Sequence, residues 1–279
     1  MKLGEFMRKI YVLLLMILGL PLVVLATDLT GSSILSERQM MINNIIAPQN
    51  PWSIGVQGFV TPNPYCNTKT VSWLLPAVIY RTPKFVFYDT YGRYELIRTD
   101  HTATDIVGQI FPVSYNSKYG DSWAMQQLNN RYMSIMLGLE ERFITPYGFF
   151  AVSGQKDITG DSAGFMGRIK YEMPLLYGNV NQTFMIKPEI GLQYDSQNLN
   201  NYYFGISQSE SVNSGLPVYS ATDSIGPYEG INFIYVANQR VNFFLLFQLY
   251  QMPNAVFDSP MVVKSKSVLS SQLVATYTF

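Results

Sequence analysis

The sequence predicts an all-β chain: a transmembrane, antiparallel, up-and-down β-barrel of about 12 strands, with ten as the alternative count. Three observations point there. The chain ends on an alternating strand closed by an aromatic ring, and it begins with an export leader. It is also rich in aromatics, yet after that leader it has no continuous apolar run long enough to cross a bilayer as a helix.

The terminal strand, Lys266 to Phe279, sets Leu269, Leu273, Ala275, Tyr277 and Phe279 on one face and Lys266, Ser270, Gln272, Thr276 and Thr278 on the other. Val268 and Val274 are the exceptions. A period of two with one oily and one wet face is a strand at a boundary between two media. A one-sided soluble sheet alternates in the same way. An ending on Phe279 favours the barrel, because similar ends are read by the barrel-insertion machinery. Tyr277 and Phe279 are therefore the expected assembly residues, facing lipid on a strand that pairs with Trp52–Thr61 and leaves no open edge.

At the other end, Lys2, Arg8 and Lys9 precede an apolar stretch from Ile10 to Leu25, and Val24-Leu25-Ala26 offers a cleavage site. This is the pattern of a signal peptide over residues 1–26. The apolar stretch is short for a membrane span, polar Thr27, Asp28 and Thr30 follow it, and no cysteine stands at the cut to carry a lipid. Residues 27–50 read as a polar periplasmic arm and residues 51–279 as the barrel. With the leader gone the charge balance turns slightly acidic, which gives nucleic acid nothing to bind. The 20 Tyr and 17 Phe suit aromatic girdles at the two membrane interfaces.

Alternation and turn residues place strands near 52–61, 70–80, 84–95, 101–110, 131–140, 143–152, 163–174, 183–194, 200–207, 228–237, 240–250 and 266–279. Longer loops at 207–227 and 251–265 are expected on the outside. One conflict stays open. Turns at Arg81-Thr82-Pro83 and at Glu141-Arg142 cannot both lie on the periplasmic side under this numbering, so a middle strand is mis-split.

The strand near 163–174 is the most telling. Arg168, Lys170 and Glu172 share one face while Phe165, Ile169 and Tyr171 fill the other. A charge on the lipid face at mid-depth costs about 2–4 kcal/mol, so these point to the lumen, as do Lys187 and Glu189. Such charges either line a small-solute pore or pair off and plug a narrow lumen. Catalysis finds little support. His101 is the single histidine, and Asp100 and Asp105 flank it without a nucleophile at a recognisable spacing. One histidine and one cysteine, Cys66, cannot build the usual metal set or an internal disulfide. Neither catalytic residue, metal nor cofactor is expected.

The segment Gly191–Tyr219 resembles the most characteristic stretch of the MltA-interacting protein (MipA)/OmpV family. The parts that carry the resemblance are Tyr194-Asp195-Ser196, Tyr202-Tyr203-Phe204-Gly205-Ile206, Ser209-Glu210-Ser211 and Leu216-Pro217-Val218-Tyr219. Val152-Ser153-Gly154, Tyr171 to Leu175, Asp258-Ser259-Pro260-Met261-Val262, and Leu74-Leu75-Pro76 followed by Phe85 to Asp89 also match. The stretch Pro64-Tyr65-Cys66-Asn67 departs from the family pattern. The resemblance implies an outer-membrane barrel held in the lipid bilayer. It further implies a non-catalytic scaffold joining a lytic transglycosylase to a penicillin-binding protein in peptidoglycan growth. Adhesion or surface binding is the other role the resemblance leaves open.

Overall fold

The computed structural model describes residues 50–279, apart from 67–69, 89, 146 and 179–181. The expected signal peptide and most of the arm lie outside the described residues. Among the described residues no helix is long and apolar enough to cross a membrane. The strands are β1 (Trp52–Thr61), β2 (Val71–Arg81), β3 (Phe85–Tyr88), β4 (Tyr91–Arg98), β5 (Thr102–Phe111), β6 (Ser134–Thr145) and β7 (Gly148–Asp157). Then follow β8 (Phe165–Glu172), β9 (Leu175–Gly178), β10 (Thr183–Asp195), β11 (Ser224–Val236), β12 (Val241–Gln251) and β13 (Ser267–Thr278).

Apart from β8 and β9, each strand pairs antiparallel with its neighbours in sequence, β10 pairs with β11, and β13 pairs with β1, so the sheet closes. β8 and β9 both pair with β10 and form one strand interrupted at Met173-Pro174. Proline there has no N–H for a ladder bond, which accounts for the break. Counting that pair once gives a closed barrel of 12 strands.

The count agrees with the sequence reading, but two of its elements do not. The segment 84–95, read as one strand, is the hairpin β3–β4. The segment 200–207, read as a strand, is helical: α1 covers Trp123–Gln126, α2 Gln197–Phe204, α3 Gln208–Ser214 and α4 Asn254–Phe257. One strand gained offsets one lost. The hairpin also removes the conflict over the turns. β6 runs straight through Glu141-Arg142 to Thr145, and its turn lies on the same rim as Thr82–Lys84. Glu141 and Arg142 looked like turn residues because they are charged. In the wall Glu141 accepts from Thr104 at 2.6 Å, while Arg142 bonds to Asp105 at 2.5 Å.

One rim carries short turns and both ends of the described barrel, and the other carries the long connections 112–133, 196–223 and 252–266. In barrels of this kind the short turns face the periplasm and the long loops the outside. Directly paired antiparallel residues share a face. The wholly buried Asp105 and Met136 therefore identify the inward side of every strand. Outward positions form an exposed aliphatic belt that includes Ile54, Leu74, Leu137, Ile190 and Leu273. Near the turn rim the belt gives way to outward aromatics. Trp52 meets Tyr80 at 4.6 Å between ring centroids, Tyr80 meets Phe85 at 5.8 Å, and Tyr277 meets Phe279 at 5.9 Å. That girdle places the rim at a membrane interface.

The closing seam between β13 and β1 is fastened on its inner face. Ser53 bonds to Thr278 at 2.8 Å, Gln272 donates to Gln57 at 2.7 Å, and Thr61 bonds to Ser270 at 2.8 Å. Tyr277 and Phe279 stand outward and exposed on this seam strand.

Candidate functional site: the charged lumen and the capped mouth

The lumen has two unlike halves. On the inner faces of β4 to β10 lies a chain of ion pairs. Arg142 sits between Asp105 at 2.5 Å and Glu95 at 3.2 Å. Glu140 reaches Lys170 at 3.8 Å, Lys170 reaches Glu172 at 2.9 Å, and Glu172 reaches Lys187 at 2.9 Å. The register sets Glu189 directly opposite Glu172 on the same face. Arg168 donates to Gln193 at 2.9 Å and lies over the Tyr228 ring, 5.9 Å from its centroid. Gly191 makes room for that ring, since a Cβ there would come within 2.5 Å of it.

The five charges singled out in the sequence thus share the inner wall of β8 and β10. Glu95, Asp105, Glu140 and Arg142, which complete the chain, escaped the sequence reading. Their signal was present: Asp105 interrupts the run Ala103, Val107 on β5, and Glu140 and Arg142 keep the same parity as Gly138 on β6. The opposite half differs. The inward positions of β11, β12, β13 and β1 carry no charged side chain, and they include Ile234, Phe244, Leu246, Val274 and Phe59.

Above the lumen the long connections pack into a hydrophobic cap. Tyr65, Phe111, Tyr115, Met125, Leu199, Tyr203 and Met261 are among its buried members. The family-like stretch builds it. Ser196 caps α2, and Leu199 and Tyr203, four apart, face the cap together. The Tyr203 hydroxyl donates to Ser134 Oγ at 2.9 Å and accepts from Ser134 N–H at 3.0 Å. Tyr202 accepts from the Tyr132 N–H at 2.8 Å, and Gly205 ends α2. Ile206 bridges Tyr219 after Pro217, and the Tyr219 hydroxyl donates to the Ala255 carbonyl at 3.0 Å. Asp258 caps α4 ahead of Pro260, and Ser259 donates to the Phe204 carbonyl at 2.7 Å. Tyr65, from the stretch that departs from the family pattern, donates to the Tyr203 carbonyl at 3.1 Å.

A buried ion pair ties the cap to the connection after β5. Arg131 meets Glu210 at 2.7 Å, and Glu210 also takes the Asn129 N–H at 2.9 Å. Ser207 and Glu210 close a capping box on α3. Burial raises the Glu210 carboxyl pKa, but hydrogen bonds from the Ser207 N–H, Arg131 and the Asn129 N–H outweigh it and hold the group below the usual carboxylate range. His101 lies exposed in the turn after β4, apart from Asp105, which is buried against Arg142. The Cys66 thiol donates to the Val262 carbonyl at 2.8 Å. Among the described residues no cluster of three or more His, Cys, Asp or Glu is placed to hold a metal.

Comparison with known proteins matches residues 54–279 to the family described as MltA-interacting protein MipA. The MltA-interacting protein of Escherichia coli (strain K12) is 30% identical over 231 residues, covering 83% of this chain and 91% of that one. The putative outer membrane protein YiaT of the same strain is 26% identical over 215 residues, covering 77% and 86%. Among solved structures, the NanC porin aligns with a TM-score of 0.36 at 10% identity, over 82% of this chain and 99% of the porin. A closed barrel with an aliphatic belt, matched over nearly its whole length, belongs to the MltA-interacting protein MipA family and resides in the outer membrane.

Proposed function

We propose that this chain is a non-catalytic outer-membrane scaffold whose periplasmic turns and N-terminal arm hold peptidoglycan-remodelling enzymes at the membrane. The relative named for its interaction with MltA supports a lytic transglycosylase as one partner. A penicillin-binding protein as the second partner follows from the same reading. The carrying observation is the state of the lumen and mouth. Arg142, Lys170 and Lys187 bond to lumenal carboxylates, and the loop rim is filled by a buried cap. A barrel closed in this way is a rigid platform rather than a passage.

The test is affinity capture on the tagged barrel from envelopes solubilised in mild detergent. Recovery of a lytic transglycosylase, lost when the turns 82–84 and 99–101 are exchanged for unrelated turns, is the expected result. Planar-bilayer recordings on the same preparation should be silent. Capture of no murein enzyme, together with discrete conductance steps, would replace the scaffold with a small-solute pore.

A further inference from the structure

The barrel wall is not of even height. β2 spans eleven residues and pairs with β1 from Val71 to Tyr80, but β3 is four residues long and meets only Ile79–Arg81. β4 starts at Tyr91, level with Gln109, two residues short of the end of β5. Among the described residues, β2 from Val71 to Ala77 therefore has a strand on one side only. The wall is notched on its loop-rim half, between upper β2 and the tip of the β3–β4 hairpin. In hydrocarbon, each unsatisfied peptide group costs several kcal/mol, so such an edge calls for an occupant. Proline at 76 removes one N–H from it.

Exposure follows the notch. Ser72, Trp73, Leu74, Leu75 and Pro76 are exposed in succession, a longer run than the three residues Leu96 to Arg98 on β4. Leu74 faces the bilayer at 77% exposure, and Trp73 faces inward at 51%. Beside this edge lies a depression of about 560 Å³, lined by outward Ser72, Leu74, Ser271 and Leu273 and by inward Trp73 and Gln272. On the inner surface the same edge carries Trp73 and Leu75 beside Phe59, on the uncharged half of the lumen. An apolar track thus runs from the lipid-facing belt, around β2, into the barrel.

We infer that this notch is a lateral portal that takes an acyl chain of an outer-leaflet membrane lipid. The chain would lie along Trp73 and Leu75, and the ester or amide groups near its head would bond the peptide groups of Ser72 and Leu74 on the β2 edge, where the Pro76 carbonyl is already taken by Gln57 at 3.3 Å. The track is continuous with the established lipid surface, which brings acyl chains to it. The polar side chains along it are few, Ser72, Ser271 and the mutually bonded Gln57 and Gln272, and none is charged.

Three tryptophans make this measurable, since Trp52→Phe with Trp123→Phe leaves Trp73 alone. The protein is reconstituted in phosphatidylcholine vesicles with or without bromine on the acyl chains. Two reference proteins carry a single tryptophan, with Trp73→Phe added to the same background. Leu74→Trp reports the outward face, and Asn232→Trp reports the lumen behind β11, which is paired on both sides. Quenching of Trp73 within about twofold of the Leu74→Trp protein is expected, with Asn232→Trp shielded. Trp73 shielded as fully as Asn232→Trp overturns the portal. As a second arm, a benzophenone amino acid replacing Leu75 should give a lipid adduct on illumination. Cross-links to the protein's own loops and none to lipid would equally overturn it. Neither arm depends on a murein enzyme, so the portal stands or falls apart from the scaffold.

Discussion

Replacing Glu210 with alanine should release the mouth cap while leaving the barrel inserted. Glu210 is 4% exposed and serves four donors: Arg131, the Asn129 N–H, and the N–H and hydroxyl of Ser207. Its loss strands the Arg131 guanidinium, whose Nε already has no partner. Breaking one side of a buried pair costs about 3–5 kcal/mol. An opened cap is then at least about a hundredfold more populated, and proteolysis from the outside follows that population. Cleavage within 196–223 of reconstituted protein should accelerate by that factor, with heat-modifiable migration of the barrel unchanged. Glu210→Gln keeps an acceptor for Ser207 and should give a smaller rise. The pH dependence has a definite sign. A carboxyl held below its unfolded value stabilises the cap above about pH 4 and loses that contribution as pH falls through the folded pKa. Acid should therefore speed cleavage of the parent and have little effect on Glu210→Gln. Equal cleavage rates for parent and Glu210→Ala at neutral pH would mean that the ion pair does not hold the cap.

The parts of this fold that were legible in the sequence are those governed by a period of two. β13 and β8 declare themselves because lipid on one side and a polar lumen on the other sort every second residue. The hairpin β3–β4 was hidden because its strands are too short to show a full alternation, and Phe85 to Glu95 reads as one apolar-rich run. The helix α2 was hidden for the opposite reason. Its aromatics favour a strand in isolation, and burial overrode that preference. Asn200 shows how: its amide donates to the Asp195 and Thr222 carbonyls at 3.2 and 2.8 Å and to Ser224 Oγ at 2.9 Å. The cap residue Ser196 and the spacing of Leu199 and Tyr203 were the available helical signals. The charged wall was half legible, since parity identifies a lumenal charge but not its partner on another strand. Arg142 and Asp105 are thirty-seven residues apart, and only the register of β5 against β6 brings them together.

That pair carries the second large effect. Arg142→Met should destabilise the barrel by about 3–5 kcal/mol, because the buried Asp105 carboxylate loses the cation bonded to it. Asp105 is wholly buried and takes both Nε and one terminal nitrogen of Arg142, at 2.5 and 3.1 Å. Glu95 and Glu140 stand 3.2 and 4.0 Å from the same guanidinium, so its removal also leaves carboxylates repelling one another along one wall. Exposed Arg98 is the control. It pairs with Glu95 at 2.6 Å from a side chain that is 54% accessible, and Arg98→Ala should cost no more than about 1 kcal/mol. The double variant Arg142→Met with Asp105→Asn separates two explanations. If the damage comes from stranding Asp105, neutralising it restores much of the loss, and the two changes are strongly non-additive. If the methionine merely packs poorly, the second change adds to the first. Denaturant midpoints of the four proteins in one detergent decide it. A midpoint for Arg142→Met equal to that of the parent would show that the ion chain is not what holds this wall together.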